Sequence, residues 1–430
     1  MSKNNPTNKN NSQKFDVVVI GGGPAGMMAA GRAAELGVRV LLVEKNETLG
    51  HKLLMTGGGR CNVTQAEFDD KKLVVEIGKK GKFLFSSLNL FGPEEMMDFL
   101  AEQKVPTKIE GGGRVFPVSD KAADVLRALK NYLQKNGVEI LFSAAVLGFE
   151  LSKDDDAKRI TGVRLPDRII RAKKFILATG GRSYPATGST GEGYAWAREC
   201  GHTIITPSPT LVPLKIQEKW VKAAQGVSLE KAQISLMQND KKIAAQQGDV
   251  ISTHFGLSGP AILNLSRKLA EFANGKEPLY VSIDLKPELD KKEADIFLQK
   301  GFIEYANRNI INYLAEIVPP KLAKIFLQLA DIPAEKKTNV ITKEERGKIV
   351  DLLKDLRLTV VGDTGFDQAM VTRGGVELKE IDPKTMRSKI VPNLYLAGEV
   401  LDLDGPTGGY NLQICWSTGR AAGEAAARKK

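Results

Sequence analysis

The stretch Phe15-Asp16-Val17-Val18-Val19-Ile20-Gly21-Gly22-Gly23-Pro24-Ala25-Gly26 decides how this chain folds. Its first six residues are an apolar, β-branched run of the kind that forms a strand buried on both faces. Gly21, Gly23 and Gly26 follow at GxGxxG spacing. The first allows a tight turn, the second lets backbone approach a pyrophosphate, and the third packs helix against strand. Pro24 and Ala25 open a helix that reads to Leu36 and stops at Gly37, and its N-terminus offers N–H groups and a positive dipole end to a phosphate. Val38 to Val43 is a second strand, and Glu44 lies 18 positions after Gly26, where a carboxylate can hold a ribose 2′-hydroxyl and would repel a 2′-phosphate. Lys45 adjoins it. Strand, turn, helix, strand and acid are in register, so the motif predicts dinucleotide binding rather than an ordinary turn.

With 430 residues, two or three domains are expected. A hydrophobic fraction of 42% with 26% charged residues is that of a soluble globular protein. No apolar run approaches the roughly 20 residues of a membrane span. Met1 to Lys14 is rich in Asn, Lys and Ser and reads as a disordered tail. Cys61, Cys200 and Cys415 are far apart and form no CxxC pair, which argues against a redox disulfide or a metal site and suits a reducing cytoplasm. The net charge of +11 comes from scattered lysines with small clusters at Lys71-Lys72, Lys79-Lys80 and Lys429-Lys430. No basic stripe interleaved with aromatics accompanies it, so the pattern does not point to nucleic acid.

Beyond the first unit, more glycine loops fall where ligand contacts are expected. Lys52-Leu53-Leu54-Met55-Thr56-Gly57-Gly58-Gly59-Arg60-Cys61-Asn62 makes a poor helix and a poor strand, but its N–H groups can converge on an anion. Directly after the nucleotide-binding unit, it predicts a second contact through Lys52, Thr56, Gly57, Gly58, Arg60, Cys61 and Asn62. Val138 to Phe142 is another strand, with Val146 beyond it where backbone can meet an adenine edge. Phe175 to Leu177 leads into Ala178-Thr179-Gly180-Gly181 and a loop rich in Gly, Ser and Thr at the carboxyl end of a sheet, where ligands bind. No second GxGxxG turn exists for a nicotinamide nucleotide.

The predicted domains are a tail at 1–14, a cofactor domain at 15–195 and 357–430, an antiparallel β insert at 196–288, and a helical insert at 289–356. After the inserts, Leu394 to Leu396 is a strand followed by Gly398 and Glu399. Gly408, Gly409, Asn411 and Leu412 then open a last helix, predicting a second backbone cradle at a helix N-terminus.

From Phe15 to Ala427 the sequence resembles the HI0933-like (YhiN/BaiN) flavoproteins. The resemblance rests on Gly21 to Gly26, on KLLMTGGGRCNVT at 52–64, on ATGGRSYPATGSTGEG at 178–193 and on AGEVLDLDGPTGGYN at 397–411, with THFGLSGP at 253–260 and VTRGGV at 371–376. It implies an α/β fold with a Rossmann-like FAD domain of the glutathione-reductase type, carrying the β and helical modules as insertions. It also implies Glu44 on the adenosine ribose, Gly23 and Gly26 on the pyrophosphate, Val146 on adenine, Glu399 on the ribityl side, and Asn411 with Leu412 at the flavin edge.

A flavin supplies the redox reactivity, so side chains need only bind substrate and move protons. His254, Tyr410 and Cys61 are the catalytic candidates: a titratable ring in a turn, a phenol near the flavin side, and a thiol that a neighbouring Arg60 could activate. Arg60, Arg114 and Arg373 are possible anion anchors. The leading expectation is an FAD-dependent oxidoreductase for a small organic substrate, with NAD(P)H as a transient donor, oxygen or a protein carrier completing the cycle. The alternatives are an FAD-dependent RNA-modifying enzyme and a non-catalytic flavin-binding protein. The sequence leaves monomer and homodimer both open.

Overall fold

The computed structural model describes residues 15–152, 158–272 and 277–428. The tail at 1–14 and the Lys429-Lys430 pair lie outside them. The chain divides into two compact units, one running to Ser208 and resuming at Val371, the other Pro209–Met370.

In the first unit the buried run forms β1 (Phe15–Ile20), followed by β2 (Val40–Val43), β3 (Glu139–Leu141), β4 (Ala172–Leu177) and β5 (Leu394–Leu396). They make one parallel sheet in the order β5-β4-β1-β2-β3. The order reverses between β1 and β4, which is where open α/β sheets bind ligands, outside the carboxyl ends of the strands. Those ends touch through backbone: a Cβ on Gly21, whose φ is +105°, would lie 2.4 Å from the Ala178 carbonyl oxygen. The first helix, Pro24–Glu35, packs on the last helix, Tyr410–Ala427, as closely as backbones allow. A Cβ on Gly419 would fall 2.5 Å from Ala25 O, and one on Gly423 would fall 2.3 Å from Ala29 O. Ion pairs from Arg32 to Glu424 at 2.9 Å and from Arg420 to Glu35 at 3.3 Å flank this contact. Small antiparallel sheets surround the core; one joins Thr64–Gln65, Arg114–Pro117 and Thr107–Glu110.

The second unit is a closed six-stranded barrel in the order Leu214–Ile216, Gly256–Ser258, Lys241–Ser252, Ser228–Gln238, Leu279–Asp284, Leu356–Asp363. Four helices, Lys291–Glu304, Ile310–Ile317, Pro320–Ala330 and Lys343–Lys354, share one apolar core with it, including Ile234, Val281, Leu298, Phe326, Ile349 and Leu358. Asp290 and Thr342 cap two of them with reciprocal Glu293 and Glu345 contacts. Two expected boundaries therefore move. The strand from 356 closes the barrel by pairing with Leu279–Asp284 and Leu214–Ile216 instead of returning to the cofactor domain, because Leu356 and Leu358 are buried in the barrel core. Residues 196–208 stay with the first unit.

Gly423→Val should destabilise the protein by about 1–3 kcal/mol or more in urea unfolding, because overpacking has no room to relax against backbone. Gly347→Ala, in a helix where an added Cβ meets nothing within 4 Å, should be neutral or stabilising. Equal effects of the two would contradict the close helix contact.

Candidate functional site

At the reversal between β1 and β4 the GxGxxG turn is held by the acid that follows β2. Glu44 is buried; its Oε2 accepts from Gly22 N at 2.6 Å and its Oε1 from Asn46 N at 2.8 Å. Gly23 caps the first helix with no side-chain hydrogen bond and no acid in the first turn. A Cβ at Gly23 would meet nothing within 4 Å, whereas one at Gly26 would sit 1.8 Å from Gly21 O. The turn is therefore closed on its protein side and open in front of an uncapped, positive helix end.

Three further glycine segments belong to the first unit, and one of them, at Gly398, meets this turn. In the loop 56–60, Gly57, Gly58 and Gly59 have φ of 57°, 67° and 88°, and added Cβ atoms at Gly58 and Gly59 would meet nothing within 4 Å. Before the last helix, Gly409 is the N-cap at φ +99°, again without a side-chain cap, and is pressed against Thr64. After β5, Gly398 packs against Ala25, where an added Cβ would come within 2.7 Å of the Ala25 Cβ. Buried side-chain atoms left without a hydrogen bond include Asn62 Oδ1 and Thr179 Oγ1. Such orphans are rare in folded proteins, and both lie on segments expected to face a ligand.

Glu399 anchors a half-buried polar network. Its Oε2 accepts from Lys52 Nζ at 2.8 Å, and its Oε1 accepts from Ser183 Oγ at 2.7 Å and Thr372 N at 2.8 Å. Lys52 Nζ also donates to Ser183 Oγ at 2.5 Å, and Tyr194 Oη to the Glu399 carbonyl at 3.4 Å. Burial alone would raise the Glu399 pKa, but Lys52, Ser183 and the Thr372 amide hold it below the ordinary carboxylate value. Nearby, Lys80 pairs with Asp402, whose carboxyl is raised by burial against the pull of that lysine.

Several predicted site residues have other duties. Arg60 donates to Glu110 and Asp120 and stacks over Phe116 at 4.0 Å, so its charge is compensated and not left for an anion. Lys45 donates to Thr190 at 2.8 Å and Glu192 at 2.7 Å. The Asn411 side-chain amide staples its own loop, accepting from Gly405 N at 2.8 Å and donating to Gly405 O and Pro406 O. Leu412 and Val146 are half-buried against the core. Cys61 is no activated thiol: fully buried at a left-handed φ of 64°, it is pushed up to about 12 by burial. Tyr410 is also pushed up to about 12 by burial, so it remains a neutral phenol at physiological pH. His254 belongs to the second unit, edge-on to Phe255 at 4.8 Å between ring centres, whereas Cys61 and Tyr410 belong to the first. His202 is structural, bonded to Glu380 at 3.0 Å and Ser388 at 2.8 Å and lowered in pKa by burial. Trp416, fully buried, donates to Val63 O at 2.9 Å.

Sequence reading missed Ser183 and Thr372 as members of the Glu399 network, although both lie in the motifs quoted above at 178–193 and 371–376. Their signal was position in a motif; their shared partner Glu399 was invisible because it lies 216 residues from Ser183 and 27 from Thr372.

The HI0933-like protein Rossmann domain family matches residues 15–425. The chain belongs to this family of FAD-dependent oxidoreductases. It is 34% identical over 418 residues to a 3-dehydro-bile acid delta(4,6)-reductase of Clostridium scindens, covering 96% of this chain and 98% of the relative. It is 30% identical over 424 residues to a ribosomal RNA dihydrouridine synthase of Escherichia coli, covering 96% and 98%. Among solved structures, a 3-ketosteroid delta1-dehydrogenase from Sterolibacterium denitrificans is similar in fold, at a TM-score of 0.50 and 14% identity, over 96% of this chain and 99% of that one. The residues of the first unit fit FAD: an acid directly after β2, two uncapped helix N-termini, and two orphaned buried oxygens. Among the described residues, no helix is long and apolar enough to cross a membrane.

The thiols give a direct check. Cys61 and Cys200 are buried and Cys415 is half-buried, and desolvation raises each to about 12, so at pH 8 the folded protein should show no fast-reacting thiol toward a disulfide reagent, and all three should react on unfolding. One fast thiol in the native state would restore Cys61 as a nucleophile candidate.

Proposed function

We propose that this protein reduces a carbon–carbon double bond conjugated to a carbonyl in a small organic substrate, with FAD as redox group and NAD(P)H as electron source, in the cytoplasm. The observation that carries the reaction class is the pair of full-length relatives. One is named for reducing the Δ4,6 bonds of a 3-dehydro bile acid, the other for making dihydrouridine. Both names describe saturation of a double bond in conjugation with a ring carbonyl, on substrates with nothing else in common.

FAD, when bound, supplies the two-electron chemistry. The chain's residues do the rest. Glu44, oriented by Gly22 N and Asn46 N, holds the ribose hydroxyls. The open N-terminus at Gly23 to Gly26 takes the pyrophosphate, and Asn62 Oδ1 and Thr179 Oγ1 find their missing partners on the cofactor. The helix end at Gly408-Gly409 supplies a second set of backbone donors. Saturating the bond also needs a proton on the α carbon. Tyr410 Oη keeps its proton up to about pH 12 and, among the described residues, makes no hydrogen bond of its own, which suits a donor and not a base.

A small substrate is favoured over RNA because basic side chains around the crevice are already paired: Arg60 with Glu110 and Asp120, Lys45 with Glu192, Lys80 with Asp402. The second reading, reduction of uridine in RNA, is supported by the +11 net charge and the Escherichia coli relative.

The test is anaerobic absorbance of FAD-loaded protein titrated with NADPH or NADH, then with a 4-en-3-one steroid or with uridine-containing ribosomal RNA. Bleaching by nicotinamide and return of the flavin band on adding the enone is the expected result. Recovery with RNA alone would favour the second reading. Recovery with neither would contradict the reaction class.

A further inference from the structure

The Lys52–Glu399 pair has a feature that structure alone does not require. An ammonium carries three N–H donors. Two of Lys52's go to Glu399 Oε2 and Ser183 Oγ, which leaves the third for water or a ligand. Both partners are largely withdrawn from water, with side chains 21% and 15% exposed. A buried ion pair is a weak stability device, often replaceable by apolar residues without loss. This one is built at length: Lys52 comes from the short helix His51–Met55, Ser183 from the loop after β4, Thr372 from strand Val371–Val376, and Glu399 from the turn after β5. The clamp also sits at the crevice. Gly398, next to Glu399, packs on Ala25 of the GxGxxG turn. Gly181 has no room for a side chain, since a Cβ there would lie 2.4 Å from Thr372 Oγ1 and 2.7 Å from Glu399 Oε1. Gly181 is two residues from Thr179, whose buried hydroxyl has no partner.

We propose that Lys52, clamped by Glu399 and Ser183, is a positioning residue of the cofactor site that presents a fixed positive charge to bound FAD and sets its reduction potential. This rests on the FAD reading above. A cation held in a low-dielectric site favours the form of its neighbour that carries more negative charge, so Lys52 makes the cofactor easier to reduce. Glu399 has two effects of opposite sign. It fixes the ammonium in place, and its own charge partly cancels Lys52. Ser183 holds the ammonium without adding charge.

The experiment is anaerobic potentiometry of the FAD-loaded protein against a reference dye, for wild type, Lys52→Met, Lys52→Arg and Glu399→Gln, with FAD content and melting temperature measured alongside. The midpoint potential should fall in Lys52→Met, rise in Glu399→Gln and stay near wild type in Lys52→Arg. A purely structural pair would lower melting temperature and FAD content in the first and last of these without splitting the potentials in opposite directions. Unchanged potentials, or shifts of the same sign, in proteins that still hold FAD would overturn the proposal and leave the FAD reading intact. Wild type that binds no FAD would overturn both. Should Lys52→Met fail to fold, Lys52→Gln, which keeps a hydrogen-bonding end and loses the charge, carries the same expectation.

Discussion

The first unit depends on places where no side chain fits. Gly21 against Ala178, Gly26 against Gly21, Gly419 against Ala25 and Gly423 against Ala29 are all backbone-to-backbone approaches. Together they draw the end of β1, the end of β4, the first helix and the last helix around one point. The residues that meet there lie at both ends of the sequence, and a barrel unit of 162 positions, 209 to 370, is interposed between them. The insertion is tolerated because the strands Ile204–Thr210 and Val371–Val376, along which the chain leaves and returns, are themselves hydrogen-bonded neighbours.

Around that point the structure separates charges that serve the site from charges that serve the surface. Glu44 is held by backbone N–H groups alone, so its orientation does not depend on a flexible cation. Glu399 and Asp402 are each matched to one lysine. Arg60, Lys108, Glu110 and Asp120 form a more exposed ion-pair cluster on the small antiparallel sheet, where screening keeps each pair weak. Among the described residues of the ligand-facing motifs, the buried side-chain atoms without a hydrogen bond are neutral, the amide oxygen of Asn62 and the hydroxyl of Thr179. A site with uncapped backbone N–H donors and neutral side-chain oxygens suits a ligand bringing both phosphates and hydroxyls.

Much of this was legible in the sequence, for a physical reason. The GxGxxG turn, its strand and its acid lie within 30 residues, so local spacing carries the geometry, and Gly23 and Glu44 could be read as a pair. The glycine loop at 57–59 was legible too, because only glycine accepts consecutive left-handed φ cheaply. The misreadings concern long-range partners. Arg60 looked like an anion anchor until Glu110 and Asp120, 50 and 60 residues away, took its charge. Cys61 looked activatable beside that arginine, but reactivity depends on burial, which its neighbours in sequence do not report. The strand from 356 looked like the return to the cofactor domain because strand pattern does not reveal which sheet it joins; its partners Leu279–Asp284 do.

The most direct test of the account is FAD binding to apo-protein by calorimetry, wild type beside Gly23→Val. Gly23 has φ −80° and open space where a side chain would go, so the variant should fold and melt like wild type. The account predicts one FAD per wild-type chain and loss of binding in Gly23→Val with no loss of stability. FAD bound equally well by both would mean that the crevice at β1 and β4 is not where the cofactor's phosphates lie.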